Sequence, residues 1–440
     1  MNHLTPTSFI LPLMLFTTFI SLDVKSQDKS TLQPLNAEVV RKLIAENRVT
    51  ESLEYLVPYE ANKSDLAQVA LANQLAGEAM IKAKSFPEAI EKLNKGLEIY
   101  TQINHLIGAS SCLYHLTRVS LNKKEFNNAI PFARRAAAIA QLAGDSRLEY
   151  QSRNLLSWAN FESGQDFFMI LENEYRQAHL VNTLNNDAAK AQVFNNLGYD
   201  LTVAGTVPLD SCVKLMTIAN EIYAKQKGNH GLWYTLMNLT WQYRLMADYE
   251  TSARFGKQSV DAAQSDGDPH AIIEACFQLA ETLIAAGKVK EAEPYYNIAL
   301  EAQKKANDRD RHVLNVYHAR YLWIEGKKKE AINNLHQAIE HLKGREVFYE
   351  MHARALLADL YLGEGKATQA QEQLSFIENP RHNYIAFETR FLAACTRAKL
   401  LTAESRYSEA EGLLLALIDH SKSINAKQLV SAGQQSMERF

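Results

Sequence analysis

The side chains best suited to catalysis or metal binding are scattered along this chain of 440 residues rather than grouped into a motif. Among the 13 histidines, His312 and His318 are six residues apart and His336 and His341 are five apart, which is not the i, i+4 spacing of two helical metal ligands. The sequence has no G-x-x-x-x-G-K-[ST], no G-x-S-x-G, no H-E-x-x-H and no C-x-x-C. We therefore predict a protein without enzymatic activity, cofactor or metal site.

Charge and cysteine spacing exclude two further classes. Lys and Arg total 47 against 50 Asp and Glu, a net charge of −3 without a basic block, so we expect no nucleic-acid partner. The four cysteines, Cys112, Cys212, Cys276 and Cys395, each lie inside an apolar helical pattern and far from one another. They are interpreted as buried small hydrophobic residues rather than a disulfide framework.

The N-terminus differs from the rest of the chain. Residues 9–22 read FILPLMLFTTFISL, an uncharged run of the length of a signal-peptide core. Val24-Lys25-Ser26 fits a cleavage site, so residues 1–26 are predicted to be a signal peptide that directs the chain to the periplasm or outside the cell. A retained membrane anchor and a structural segment are the alternatives. No other stretch is long and uncharged enough to predict a membrane span.

The strongest signal is an internal repeat of about 40 residues. Small or modest side chains recur at this period in similar contexts, at Gly96, Ala136, Ala178, Ala219, Ser259, Ala299, Ala338, Ile377 and Leu417. A second series lies seven residues upstream, and a larger side chain usually stands between the two, at Leu93, Tyr175, Met216, Tyr296, Leu335, Leu374 and Leu414. Residues seven apart share one helix face, where small side chains let a second helix approach closely.

Turn-forming pairs give the same period independently. Pairs such as Gly144-Asp145 and Gly267-Asp268 recur between units, and pairs such as Gly287-Lys288 recur within them. Glycine suits the end of one helix and Asp or Asn the N-cap of the next. Each unit is thus predicted to be a helix, a tight turn, a second helix and a longer turn.

These units resemble the tetratricopeptide repeat (TPR). The resemblance rests on Ala76-Gly77 with Phe86 and Ala89, on Asn196-Leu197-Gly198-Tyr199, and on Tyr407-Ser408-Glu409-Ala410. It implies an all-α, right-handed superhelical solenoid of antiparallel helical hairpins. The units here are longer than the usual TPR, and its closing Pro is mostly missing.

The resemblance also implies where a ligand would bind, because first helices of TPR units line a concave groove. Projecting that pattern gives polar and aromatic candidates for binding a protein or peptide: Tyr114, Arg118, Asn154, Trp158, Asn195, Tyr199, Tyr234, Asn238, Trp241, Arg244, Gln278, Glu281, Tyr317, Arg320 and Trp323. Asn and Gln can bond a peptide backbone, Arg can bind carboxylate, and aromatic side chains are enriched at binding hot spots.

Four regions follow. Residues 1–26 are the predicted signal, 27–65 an N-terminal cap hairpin, 66–425 an array of about nine units, and 426–440 a polar C-terminal cap helix expected to face water. The predicted function is an exported scaffold or receptor that holds a protein or peptide in its concave groove. The alternative is the sensory part of a bacterial signalling system that acts with a separate or missing effector.

Overall fold

A computed structural model describes residues 32–62, 64–163, 167–226, 231–379 and 385–438. Across these ranges the chain forms 21 α-helices and no β-strand. The apolar run at residues 9–22 and the cleavage site predicted after Ser26 lie outside the described residues. Within them, no helix combines the length and the hydropathy needed to cross a membrane.

The helices fall into two compact units, which meet in sequence between Ile103 and Asn104. The first unit contains four helices: α1 (Ala37–Ala45), α2 (Val49–Glu60), α3 (Leu66–Lys82) and α4 (Phe86–Gln102). Its core joins α1 and α2 to α3 through Val40, Leu56 and Leu75, all fully buried.

The second unit contains the remaining 17 helices of the described chain. They are α5 (Leu106–Asn122), α6 (Phe126–Leu142), α7 (Ser146–Glu162), α8 (Phe167–Val181), α9 (Asp187–Ala204), α10 (Leu209–Lys225), α11 (Leu232–Leu245), α12 (Tyr249–Asp266), α13 (Pro269–Ala285), α14 (Val289–Gln303), α15 (Asp308–Ile324), α16 (Lys328–Leu342), α17 (Val347–Gly363), α18 (Ala367–Ile377), α19 (Phe387–Ala403), α20 (Tyr407–Ser423) and α21 (Lys427–Met437). Each odd-numbered helix from α5 to α19 pairs with the helix that follows it.

The predicted turn chemistry is present at the helix ends. Asp145 accepts a hydrogen bond from the Leu148 backbone N–H at 2.9 Å and so caps α7, and Asn186 caps α9 through the Ala189 N–H at 3.1 Å. Gly267 ends α12 with a φ of 78°, a left-handed conformation that favours glycine. These local rules explain why helix boundaries recur with the sequence period.

The predicted helix packing is also present. Ala292, Ala331, Ala370 and Ala410 are completely buried, and the larger side chains between the two small series, such as Leu335 and Leu374, are buried beside them. All four cysteines are buried, as expected of small hydrophobic residues. The prediction of an all-α, TPR-like solenoid of antiparallel helical hairpins is confirmed.

One of the larger side chains of the repeat pattern is not buried. Tyr175, the member of that series on α8, is 49% exposed. Ile170 and Leu171 already occupy the inner face of α8, and this register turns the neighbouring Glu174 inward, where it is 3% exposed. Ser157 and Gln177 donate hydrogen bonds to Glu174 Oε1, while its Oε2 has no partner among the described residues.

Burial gives Glu174 a testable pH dependence. Burial raises its pKa to about 7, and burial together with the charge of Glu174 raises the pKa of Asp200 on α9. Because the pKa of Glu174 is higher in the folded chain than in the unfolded chain, its protonated form stabilises the fold. That stabilisation is complete below about pH 4.5 and is lost as the pH rises through about 7. In urea unfolding, the free energy of unfolding of Glu174→Gln should match that of the parent near pH 4.5 and exceed it by roughly 3 kcal/mol at pH 8.

The exposed Glu172 on the same helix provides the control, since Glu172→Gln should change neither the stability nor its pH dependence. A difference between Glu174→Gln and the parent that does not vary from pH 4.5 to pH 8 would contradict the account.

The C-terminal helices of the second unit close back onto its middle. We call the packing of α19–α21 against α8–α11 the closure. One apolar cluster spans both sides, with Leu201 and Trp241 on one and Phe387, Phe391 and Leu429 on the other. The backbone participates as well: the Leu209 N–H donates to the Ile424 carbonyl at 3.0 Å.

Polar contacts complete the closure. Arg390 donates to the Ala204 carbonyl at 2.9 Å, His420 Nε2 lies 2.8 Å from the Gly205 carbonyl oxygen, and Asn425 donates to Asp210 at 2.8 Å. The expectation that the C-terminal helix faces water is corrected for one of its faces, because Leu429 and Gly433 of α21 are buried. Leu429 packs in the closure, and the mostly polar composition of α21 does not predict this apolar contact.

Candidate functional site

The closure surrounds a cavity of about 1090 Å³ within the second unit. Its walls are mostly the first helices of successive hairpins, α9, α11, α13, α15, α17 and α19, and α21 adds Gln428, Leu429 and Gln435. The repeat of about 40 residues therefore directs one face of each of these first helices into the same cavity.

Ten of the fifteen predicted binding residues line this cavity. They are Tyr199, Tyr234, Asn238, Trp241, Arg244, Gln278, Glu281, Tyr317, Arg320 and Trp323. Five do not: Tyr114, Arg118, Asn154, Trp158 and Asn195. That any of them binds a ligand stays a prediction.

The five residues outside the cavity have separate explanations. Tyr114 and Arg118 lie on α5, which contributes no residue to the lining. Of α7 only the C-terminal end lines the cavity, from Phe161 onwards, so Asn154 and Trp158 lie too early on that helix. Trp158 is 48% exposed and donates to Glu162 Oε1 at 3.2 Å. The fifth, on α9, lies buried behind the wall.

That fifth residue, Asn195, supports a residue of the wall. Its Oδ1 accepts a hydrogen bond at 3.2 Å from Nδ2 of Asn238 on α11. This bond holds the Asn238 amide in place, and among the described residues Asn238 Oδ1 is buried without a partner. Gln278, on α13 and 40 residues further along, also carries an oxygen, Oε1, that is buried and unpartnered within the described chain. Both oxygens lie within the wall rather than at its surface, so they mark equivalent positions of two successive first helices and are not acceptors open to the cavity.

An ion pair joins the cavity wall to the closure. Arg244, 3% exposed, donates through Nη1 and Nη2 to the two carboxylate oxygens of Glu388 at 2.8 and 3.2 Å. The indole N–H of Trp241 donates to Glu388 Oε2 at 2.8 Å. Burial alone would raise the pKa of Glu388, but the charge and hydrogen bonds of Arg244 outweigh it and lower that pKa to about 2. Arg244 was predicted to bind a ligand carboxylate, yet most of its donors are committed to Glu388.

Aromatic rings cover much of the interior. The Tyr199 ring lies 5.8 Å from that of Trp241 and 6.5 Å from that of Phe348 on α17. The rings continue from Phe348 to Tyr349, where Tyr317 stacks on Phe277 and approaches Tyr349 edge-on, with ring centroids 6.0 Å apart. Such surfaces bind apolar and cationic groups without fixing one ligand shape.

One series of cavity residues keeps the repeat spacing of about 40 residues, and only its first three members were predicted. Trp241, Glu281 and Arg320 were predicted, and the same spacing leads to Asp359 on α17 and Lys399 on α19, both in the lining. Lys399 pairs with Asp359 at 2.6 Å, and Arg320 pairs with Glu281. Extending the period by two units would have found this second ion pair.

Other lining residues carried no such signal. Glu274, Phe348, Tyr349 and Glu388 lie near helix starts, where acidic or aromatic residues are common for reasons of capping and packing. Among the described residues, no group of three or more His, Cys, Asp or Glu side chains is placed to hold a metal ion.

Solved structures share this architecture at low sequence identity. A Rap protein complexed with competence and sporulation factor is 15% identical, with a TM-score of 0.56 over 82% of this chain and 99% of that chain. The apo form of the quorum sensor NprR from B. thuringiensis is 11% identical, with a TM-score of 0.55 over 78% of this chain and 96% of that one. Aspartyl phosphate phosphatase F from Bacillus subtilis is 12% identical, with a TM-score of 0.52 over 79% and 94%.

These likenesses concern the fold, which is TPR-like. No protein-family model matches the sequence. No curated protein matches it either.

Proposed function

We propose that this protein is a receptor or scaffold that binds a short, extended peptide in the cavity of its second unit and performs no chemistry of its own. The observation that carries the proposal is the cavity itself, which the first helices of successive hairpins line with amide, charged and aromatic side chains such as Gln278, Arg320 and Tyr317. An extended peptide presents backbone N–H and C=O groups at intervals along its chain, and a side-chain amide such as that of Gln278 can bond to either.

The size and lining of the cavity agree with a short ligand. About 1090 Å³ is at the upper end of small-ligand pockets, which suits a few peptide residues and is too small for a folded domain. The aromatic walls offer contact area at low conformational entropy. Structures of similar fold include a Rap protein complexed with a factor, which supports a ligand-holding role for the solenoid.

A sensory role uses the same cavity. The likeness to a protein named as a quorum sensor favours it as the second candidate. In that role, occupancy of the cavity would be passed to a separate effector. Export is also part of the proposal, and it rests on the apolar run at residues 9–22.

Gln278→Leu tests the backbone contact. The full chain is incubated with a pool of peptides of four to twelve residues from a partial proteome digest, and retained peptides are identified by mass spectrometry. We expect the parent to retain short peptides selectively. The variant should bind a recovered peptide about 10-fold more weakly, because it lacks the side-chain amide.

Gln337→Leu is the matched control, because Gln337 is exposed on the second helix α16 and lies outside the cavity lining. It should leave peptide affinity unchanged. Retention of no peptide by the folded parent would refute the proposed function, and equal affinity of the parent and Gln278→Leu would remove the assigned backbone contact.

A further inference from the structure

One wall of the cavity contains a buried carboxylate without a counter-ion. Glu274 on α13 is 5% exposed and accepts a hydrogen bond at 2.9 Å from the Tyr349 hydroxyl. In the described part of the chain, no Lys, Arg or His nitrogen lies within ion-pair distance of it. Buried carboxylates are normally paired with a cation or protonated, and burial does raise the pKa of Glu274.

The basic groups that act on Glu274, Arg309 and His270, are already bonded to other carboxylates. Arg309 at the start of α15 donates to Glu346 at 2.6 and 3.2 Å and to Asp310 at 2.9 Å. Asp310 is also 3.1 Å from Nδ1 of His270. Three carboxylates, with Glu274, therefore share one guanidinium and one imidazole in this part of the wall. The exposed Arg345 lies at the same cavity, on the solvent side.

The remaining cavity cations show the same pattern. Arg244 is bonded to Glu388, Arg320 to Glu281 and Lys399 to Asp359. The pairs leave Glu274 without a cation bonded to it among the described residues of the lining.

Aromatic rings surround this carboxylate. Tyr349 bonds it directly, Tyr317 contacts Tyr349, and Phe277, one turn along α13, stacks on Tyr317. The faces of aromatic rings carry negative potential and attract cations, most strongly where water is excluded. A carboxylate beside phenol rings is thus chemically matched to an ammonium or guanidinium group and mismatched to an anion.

We propose that Glu274, with Tyr317 and Tyr349, forms a subsite for a positively charged group of the ligand. This inference rests on the proposed peptide-binding function and adds the chemistry of one anchoring position. The cation is an ammonium or guanidinium, which a peptide supplies either from a Lys or Arg side chain or from its free amino terminus.

Matched hexapeptide pools distinguish these sources. Each pool is randomised except for one fixed position, which is Arg, Lys, citrulline, norleucine or Glu, and each is made with a free and with an acetylated amino terminus. Citrulline keeps the shape of Arg without its charge. Retention by the full chain is measured by affinity selection and mass spectrometry, for the parent, for Glu274→Gln and for Glu340→Gln.

We expect the parent to retain the Arg or Lys pools about 10-fold better than the citrulline pool if a side chain binds, or the free-amine pools about 10-fold better than the acetylated ones if the terminus binds. Glu274→Gln should abolish that preference while still retaining peptides, because its amide oxygen can accept the Tyr349 hydroxyl. Glu340→Gln, at an exposed residue of the second helix α16 outside the cavity lining, should keep the preference.

The outcomes separate this inference from the function on which it rests. Retention of all pools equally by the parent, or a charge preference that survives in Glu274→Gln, would overturn the cation subsite and leave peptide binding intact. Retention of no pool would overturn both. A thermal unfolding curve for Glu274→Gln with a midpoint equal to or above that of the parent shows that lost preference is not lost folding.

Discussion

Replacing Glu388 with alanine should lower the free energy of unfolding of the second unit by about 3 to 5 kcal/mol. The substitution leaves the Arg244 guanidinium buried, with its two bonds to carboxylate oxygen removed and Nε already without a partner. It also removes the acceptor of the Trp241 indole. All four tryptophans, at 158, 233, 241 and 323, belong to the second unit, so urea unfolding followed by tryptophan fluorescence reports this unit.

Two further variants serve as controls for this loss of stability. Arg244→Met/Glu388→Leu removes both charges and should lie within about 1 to 2 kcal/mol of the parent, because an apolar pair of similar volume avoids the uncompensated charge. Glu378→Ala removes the partner of Arg397, but Glu378 is half exposed, and a loss of no more than about 1 kcal/mol is expected. If Glu388→Ala were no more damaging than Glu378→Ala, the ion pair would not contribute to the closure.

The hairpins were predictable because their determinants are local. A buried alanine such as Ala331, a capping residue such as Asp145 and a left-handed glycine such as Gly267 each act within a few residues of their position. Nine hairpins of the described chain repeat those determinants, so one large side chain that is exposed, Tyr175, does not alter the fold. Glu174 became buried because neighbouring bulky residues set the helix register, a packing effect that periodic spacing does not encode.

The closure was not predictable from spacing. Arg244 and Glu388 are 144 residues apart, and they meet only because small rotations between successive hairpins accumulate over several units. Nothing near Glu388 distinguishes it from an ordinary acidic residue in a first helical turn. The cavity lining divides in the same way. The repeat spacing predicts the positions of Glu281 and Arg320, whereas the lining residues of α21 reach the cavity only through the closure.

Gly205→Ala should destabilise the second unit by about 2 to 5 kcal/mol, which combines two separate penalties. Gly205 has a φ of 63°, a left-handed conformation that costs roughly 1 to 2 kcal/mol for a residue with a Cβ. A Cβ at this position would also lie 2.7 to 2.8 Å from side-chain atoms of Phe387 in the closure. Relieving such overlap in a packed core typically costs a further 1 to 3 kcal/mol.

Gly267→Ala isolates the first penalty, because Gly267 has a similar φ of 78° but open space where a Cβ would stand. We expect it to lose only about 1 to 2 kcal/mol in the same fluorescence-monitored urea titration. The excess for Gly205 should disappear in a double-mutant cycle with Phe387→Ala, since that change removes the side chain that the new methyl group meets. Equal losses of stability for the two glycine variants would mean that the Phe387 side chain moves aside at no cost in free energy. A larger loss for Gly205→Ala, coupled to Phe387, would show that α19 is held against the end of α9 in solution.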